Sequence, residues 1–274
     1  TYGQDRNAQP PAAAPVARAT APWWLAAALG VSVALGGLAV GPASLALAQR
    51  PPQPEAPNGA LDRPASTPAD ARSAAVAFRH MAASANPLAS EAGRAILRQG
   101  GSAVDAAIAI QMVLTLVEPQ SSGIGGGAFL VHYDASTKRI VTYDGRETAP
   151  AGAKPDMFLD AQGQALPFAQ ASVGGHAVGV PGLLRMLELA HRAHGRLPWS
   201  RLFEPAMQLA DDGFPVSARL HRLIGEEKQL REFPATAAYF FDADGNPRPV
   251  GYRLANQALF ETLRAIANGG ADAF

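Results

Sequence analysis

The sequence contains no cysteine in its 274 residues. That absence excludes disulfide frameworks, thiol nucleophiles and cysteine-bound zinc. An excess of charge of one sign is lacking as well, because 23 lysine and arginine residues balance 23 aspartate and glutamate residues. This balance argues against a nucleic-acid-binding surface and against an acidic solvating tail, so small molecules or proteins are the expected partners.

Charged residues of both signs are also scarce. They make up 17% of the chain, whereas hydrophobic residues make up 48%. This composition supplies enough apolar surface for a sizeable core in one large domain or two small ones. No motif indicates a bound cofactor or metal ion, and we expect neither.

The most hydrophobic stretch spans residues 23–48. It follows Arg6 and Arg18 and ends in Ala-Leu-Ala before Gln49, which is typical of an export signal that a signal peptidase removes. The alternative is an uncleaved membrane anchor, because about 18 apolar residues begin to span a bilayer. Glycines and a proline interrupt the stretch and weaken a permanent helix, which favours cleavage. We therefore predict that residues 1–48 are a signal peptide or anchor, that the protein is periplasmic or secreted, and that it contacts a membrane only if this segment stays uncleaved.

A proline-rich linker is predicted at residues 49–72, where large apolar side chains are few. The folded part is expected to occupy residues 73–274. The chain begins at Thr1 rather than at methionine and reaches Phe274 without a visible terminating element, so we expect a fragment at both ends.

Two consecutive helices are predicted at the start of the folded part. Asn86 and Pro87 suit the cap and first turn of one helix, which Gly100 would end. Ser102 and Asp105 match a capping box that opens a second helix to about residue 117. This second helix is apolar nearly all round, which predicts a core position between other elements. Further helices are predicted at 181–194, 198–212 and 254–268.

A glycine-rich loop precedes two β-rich runs, 128–133 and 139–143, which a short polar turn joins into a predicted antiparallel hairpin. Residues 123–128 match the G-x-G-x-x-[GA] spacing of dinucleotide-binding loops, and Asp144 lies downstream. That fingerprint follows a strand and opens a helix, whereas this loop follows a helix and opens a strand. A tight helix-to-strand connection is therefore the favoured interpretation.

Histidines and serines give weaker indications of catalysis. Ser122, His132 and Asp144 could be imagined as a triad, but no G-x-S-x-G elbow exposes a serine. His191 and His194 lie three residues apart near a helix end without a third metal ligand nearby. We interpret this pair as a solvated cationic terminus that complements the helix dipole.

Arg146 directly follows the second strand of the hairpin, with Gly145 before it and Glu147 after it. Its guanidinium group could form a bidentate pair with a substrate carboxylate, in a planar geometry that lysine lacks. From spacing alone, a surface ion pair with Glu147 or Asp144 is the favoured alternative.

Five segments, in this order, closely resemble the amino-terminal half of γ-glutamyltransferases, and the resemblance extends from about residue 80 to residue 274. The segments are GGSAVDAAIA at 100–109, EPQSSGIGGG at 118–127, GRETAP at 145–150, GVPG at 179–182 and ADDGFPV at 210–216.

The resemblance implies an α+β fold of the N-terminal-nucleophile hydrolase type, a four-layer αββα sandwich that is incomplete in this fragment. Members of the family are exported precursors that cleave themselves into a large and a small subunit. The cleavage exposes a threonine that attacks glutathione or another γ-glutamyl compound and forms an acyl-enzyme, which water or an accepting amine resolves. The small subunit is thus an expected partner, the threonine is expected beyond Phe274, and no catalytic residue is expected in residues 1–274.

Arg146 matches the arginine of the family's R-E-x-A-P block, which binds the substrate's α-carboxylate. The resemblance therefore favours substrate binding over a surface ion pair, and Glu147 matches the adjacent acid that can orient the guanidinium group. Two other functions stay open: a glutaryl β-lactam acylase on the same scaffold, and a non-catalytic exported relative.

Overall fold

The computed structural model describes residues 75–274. The predicted signal or anchor segment (1–48) and proline-rich linker (49–72) lie outside the described residues. Eight α-helices are present in the described part: α1 (Pro87–Arg98), α2 (Ala103–Val117), α3 (Phe168–Ala171), α4 (Leu183–His194), α5 (Glu204–Asp212), α6 (Ala218–Glu226), α7 (Pro234–Phe240) and α8 (Gln257–Gly269). Two antiparallel two-stranded sheets accompany them within the same residues: β1 (Phe129–Asp134) with β2 (Arg139–Asp144), and β3 (Phe214–Pro215) with β4 (Arg253–Leu254). The chain is therefore a mixed α and β structure in which helices predominate. No helix of residues 75–274 is both long and apolar enough to cross a bilayer.

The first two helices begin where their capping residues predict. The Asn86 side chain accepts a hydrogen bond from the backbone N–H of Leu88 at 3.0 Å. Ser102 and Asp105 form the predicted capping box, in which each side chain accepts the other residue's backbone N–H, at 3.1 Å and 2.8 Å. These bonds satisfy amide groups that a helix start otherwise leaves unpaired.

Helix α2 forms the centre of the core, as its apolar sequence predicts. It contacts α1, α4 and α5, and Ile108, Met112 and Leu116 along it are at most 2% exposed. Burial of each such side chain contributes about 1.5–3 kcal/mol. This packing makes α2 the support for the loop that follows it.

Three predicted helix starts are wrong. Helix α4 begins at Leu183 rather than at 181, and α5 begins at Glu204 after a short 3-10 turn, because Pro205 has no N–H and suits only the first turn of a helix. The last predicted helix begins at Gln257, because Leu254 belongs to β4 and pairs with Phe214.

The predicted antiparallel hairpin forms between β1 and β2, and its side chains alternate between two faces. The inward face consists of Leu130, His132, Val141 and Tyr143, and it lies towards α4. The opposite face carries Phe129, Val131, Tyr133 and Ile140, which are 64%, 68%, 58% and 67% exposed. Within the described residues this outer apolar face of the hairpin has no cover.

Candidate functional site

Arg146 lies just beyond the last pair of the hairpin. Gly145 extends the ladder by one pair, donating its N–H to the carbonyl of Ala128 at 3.0 Å and accepting that residue's N–H at 3.3 Å. The N–H of Arg146 then donates to Oδ1 of Asp144 at 2.9 Å. This turn, in which a carboxylate accepts the N–H two residues on, directs the arginine out of the strand.

The guanidinium group of Arg146 is available for a ligand. Its side chain is 72% exposed, and its nearest acidic partner is Oε2 of Glu147, 3.6 Å from Nε. Within residues 75–274 the guanidinium group makes no hydrogen bond. An exposed ion pair of this length contributes little, so both terminal nitrogens are free for the parallel hydrogen bonds of a carboxylate.

Backbone segments from three parts of the chain surround Gly145 and Arg146. A methyl group added at Gly127 would lie 2.6 Å from both the carbonyl oxygen of Gly145 and Oε2 of Glu147, and 2.9 Å from Cα of Arg146. One added at Gly182 would lie 3.0 Å from the carbonyl oxygen of Arg146. Glycine is required at these positions because backbone approaches backbone.

The first turn of α4 is hydrogen-bonded to the glycine-rich loop. The carbonyl oxygen of Gly126 accepts the N–H groups of Gly182 and Leu183 at 3.3 Å and 3.2 Å. Thr148 and Val180 exchange two further backbone hydrogen bonds, at 3.3 Å and 2.9 Å. The glycine loop, the arginine segment and the first turn of α4 are thus joined; we call this set of residues, 126–127, 145–148 and 179–183, the glycine frame.

A buried carboxylate anchors the loop that leads into the glycine frame. Glu118, at the end of α2, accepts hydrogen bonds from Asn86 at 2.9 Å, from Gln120 at 2.5 Å and from the guanidinium group of Arg219 at 2.7 Å. A buried carboxylate is stable only when such donors satisfy it. The loop therefore leaves α2 in a fixed direction.

The residues of the imagined serine triad do not come together. Ser122 accepts a hydrogen bond from Gln111 at 2.7 Å, and Asp144 caps the backbone of Arg146. The ring of His132 stacks on that of His194 with centroids 3.9 Å apart. Each of the three groups thus has a different partner, which supports the argument against a triad.

The interpretation of His191 and His194 as a solvated terminus is wrong. Nε2 of His191 lies 2.8 Å from the carbonyl oxygen of Leu197 and 3.6 Å from Oδ1 of the buried Asp105. His194 bonds to the hydroxyl of Tyr143 at 2.8 Å. Both rings pack between elements, because the chain after α4 turns back onto α2. They are structural residues of this part of the chain.

Two cavities among the described residues lie away from Arg146. A cavity of about 510 Å³ lies between α1 and α5, and one of about 450 Å³ lies between residues 78–80 and α1. Arg146 lines neither of them.

Comparison with known proteins matches residues 89–274 to the Gamma-glutamyltranspeptidase family. The glutathione hydrolase proenzyme of Bacillus subtilis is 44% identical over 194 residues, which cover 71% of this chain and 33% of that protein. A crystal structure of Helicobacter pylori gamma-glutamyltranspeptidase is 35% identical, with a TM-score of 0.69 over 73% of this chain and 57% of that one. A cephalosporin acylase from Bacillus halodurans is 28% identical, with a TM-score of 0.57 over 70% of this chain and 38% of that one.

The chain spans about a third of the length of the curated relatives it matches. The match nevertheless covers most of the described residues, including the hairpin, the glycine loop and Arg146. We conclude that the chain belongs to the γ-glutamyltranspeptidase family.

Proposed function

We propose that this chain is the amino-terminal part of an enzyme that hydrolyses or transfers γ-glutamyl groups, with glutathione or a related γ-glutamyl compound as substrate. The observation that carries the proposal is the exposed guanidinium group of Arg146, on a backbone segment against which Gly127 and Gly182 pack closely. The similarity to glutathione hydrolases and γ-glutamyltranspeptidases supports it.

Arg146 binds the α-carboxylate of the γ-glutamyl group in this proposal. A bidentate pair between the two terminal nitrogens and the carboxylate fixes both the position and the orientation of the substrate. The neighbouring carboxylate of Glu147 lies 3.6 Å from Nε and leaves both terminal nitrogens open to this pair. The scissile γ-carbonyl is thereby held at a constant distance from the hairpin.

The nucleophile comes from polypeptide outside residues 1–274. A threonine hydroxyl attacks the γ-carbonyl carbon, the amide C–N bond breaks, and the amine leaves with a proton as the acyl-enzyme ester forms. Water then releases glutamate, or an amine acceptor takes the γ-glutamyl group. This chain contributes substrate positioning to both steps.

The small subunit of the processed precursor is the proposed partner of the outer apolar face of the hairpin. Phe129, Val131, Tyr133 and Ile140 present a contiguous apolar surface there, of a kind that folded proteins cover with another layer. Its cover would complete the αββα sandwich and enclose Arg146. Export to the periplasm or the medium, with cleavage before Gln49, is also proposed from the sequence, and amino-terminal sequencing of the mature protein tests it.

Arg146→Lys in the complete enzyme tests the carboxylate-binding role. Lysine keeps the charge but loses the planar pair, so KM for a γ-glutamyl anilide should rise tenfold or more, about 1.4 kcal/mol of binding. The matched control is Arg139→Lys at the far end of the same strand, which should leave KM unchanged. Unchanged kinetics in Arg146→Lys would refute the role.

Two further anilides identify the substrate class. A 4-aminobutyryl anilide lacks the α-carboxylate, so its KM should not respond to Arg146→Lys. A glutaryl anilide keeps the carboxylate and lacks the α-amine. The second candidate function, a β-lactam acylase, is favoured by the similarity to the cephalosporin acylase. A higher kcat/KM for the glutaryl than for the γ-glutamyl anilide would support that candidate instead.

A further inference from the structure

The backbone around Arg146 is fixed on both sides by strand pairing but not at the arginine itself. Gly145 pairs with Ala128 before it, and Thr148 pairs with Val180 after it. Between these pairs, the N–H of Arg146 has one hydrogen-bond partner among the described residues, Oδ1 of Asp144 at 2.9 Å. A side chain that accepts the N–H two residues on closes a turn, which restricts the backbone between the two residues.

The hydrogen bond from the N–H of Arg146 to Asp144 spans Gly145. This glycine has no side chain, because a methyl group there would lie 2.9 Å from the sulfur of Met186 and 3.0 Å from the carbonyl oxygen of Gly182. A glycine restricts its own backbone dihedrals less than any other residue does. Pairing with Ala128 holds Gly145 itself, and the side chain of Asp144 spans this glycine and restrains the N–H of Arg146 that follows it.

We propose that Asp144 is a positioning residue for substrate binding: its carboxylate holds the N–H of Arg146 and so aims the guanidinium group at the α-carboxylate of the substrate. This inference rests on the proposed function. We expect the hydrogen bond of the turn, and not the negative charge of Asp144, to lower KM. A negative charge near the site repels the carboxylate of the substrate and so opposes binding.

The bond is exposed to solvent, so it contributes little to global stability. If this bond served only stability, Asp144→Ala would leave both KM and the melting temperature almost unchanged. A positioning role appears in KM for substrates that carry an α-carboxylate, and not in kcat or in the melting temperature.

The experiment compares Asp144→Ala with Asp144→Asn in the complete enzyme. Asp144→Ala removes the acceptor, and we expect KM for the γ-glutamyl anilide to rise about fivefold with kcat within about twofold. Asparagine keeps an acceptor oxygen for the same turn, so Asp144→Asn should restore a KM equal to or below that of the unmodified enzyme. KM for the 4-aminobutyryl anilide should stay unchanged in both variants.

The matched control is Asp134→Ala, which removes an equivalent turn at the other end of the hairpin, where Oδ1 accepts the N–H of Ser136 at 2.9 Å. It should leave KM unchanged. If Asp144→Ala does not yield folded enzyme, Asp144→Ser, whose hydroxyl makes a weaker turn of the same kind, should give an intermediate KM.

The outcomes separate this inference from the proposed function. An unchanged KM in Asp144→Ala beside a raised KM in Arg146→Lys overturns the positioning role alone. Equal defects in Asp144→Asn and Asp144→Ala overturn the role of the turn and indicate that the charge matters. Equal losses with both anilides in Asp144→Ala indicate general disruption and also overturn it. An unchanged KM in Arg146→Lys overturns the carboxylate-binding role of Arg146 and this inference with it, whereas a complete protein that does not cleave the γ-glutamyl anilide overturns the proposed function itself.

Discussion

Replacement of Asp105 by asparagine should destabilise the fold strongly, although the two side chains have the same shape. Asp105 is fully buried. Its Oδ2 accepts three backbone N–H groups, from Ser102 at 2.8 Å, Arg196 at 2.9 Å and Leu197 at 3.1 Å. One carboxylate oxygen thus caps α2 and also ties the segment after α4 to it.

The magnitude follows from these three bonds. A hydrogen bond to a charged group contributes about 1.5–3 kcal/mol and a neutral one about 0.5–1.5 kcal/mol, so Asp105→Asn should lose roughly 1 kcal/mol per bond, or about 3 kcal/mol in total. The amide NH₂ would occupy the place of Oδ1, which has no hydrogen-bond partner and lies 3.6 Å from Nε2 of His191. Since Nε2 donates to the carbonyl of Leu197 in this geometry, no favourable bond compensates.

Urea unfolding followed by far-ultraviolet circular dichroism measures this change. The matched control is Asp160→Asn, because Asp160 also accepts two backbone N–H groups, at 2.8 Å and 2.9 Å, but is exposed. The control should lose less than about 0.5 kcal/mol, as substitutions on the surface do. Equal losses in the two variants would refute the argument that burial of the charge-assisted bonds decides the effect.

Two other predictions concern the hairpin and the glycine frame. Gly127→Ala should raise KM for the γ-glutamyl anilide severalfold, because its methyl group meets the backbone of Arg146. The control is Gly125→Ala, whose methyl group has no atom within 4 Å and should leave KM unchanged. Equal kinetics in the two variants would contradict the claim that the glycine frame positions Arg146. The hydroxyls of Ser136 and then Thr137 lower the pKa of Asp134 to about 2, below its ordinary 3.8. A carboxyl group whose pKa is lower in the folded state stabilises the fold above pH about 4, and this contribution disappears as the pH falls towards 2. Ser136→Ala should raise the pKa of Asp134, as followed by carbon-13 NMR, and an unchanged pKa would exclude the hydroxyl as its main cause.

The sequence predicts those elements whose signals are local. Asn86, Ser102 and Asp105 cap their helices as expected, and the two β-rich runs joined by a short polar turn form the predicted hairpin. Helix α6 was not predicted, although Ser217 caps it by accepting the N–H of Leu220 at 3.0 Å. The signal is local, because Leu220, Leu223 and Ile224 follow this cap at the three- and four-residue spacing of an apolar helix face.

Non-local contacts account for the errors and omissions. Leu254 lies in a strand because Phe214, forty residues away, pairs with it. The packed positions of His191 and His194 depend on Asp105 and Tyr143 in other elements. The positions of Gly127 and Gly182 around Arg146 follow from the meeting of three segments, which no periodicity reveals.

The candidate site also depends on contacts between distant parts of the chain. Its place after a strand makes Arg146 a candidate, the resemblance favours substrate binding over a surface ion pair, and that role stays a prediction. The sequence analysis does not predict the hydrogen bond from the N–H of Arg146 to Asp144. A spacing of Asp-Gly-Arg after a strand is the signal that could have indicated it, because aspartate often bonds the N–H two residues on.

The exposed hairpin also affects how the chain behaves when no other polypeptide covers it. Among residues 75–274, β1 and β2 pair only with each other, so each leaves an open edge beside a row of large apolar side chains. Open edges of this kind template the addition of strands from other molecules. Residues 75–274 are therefore at risk of aggregation through this hairpin whenever no other layer covers it.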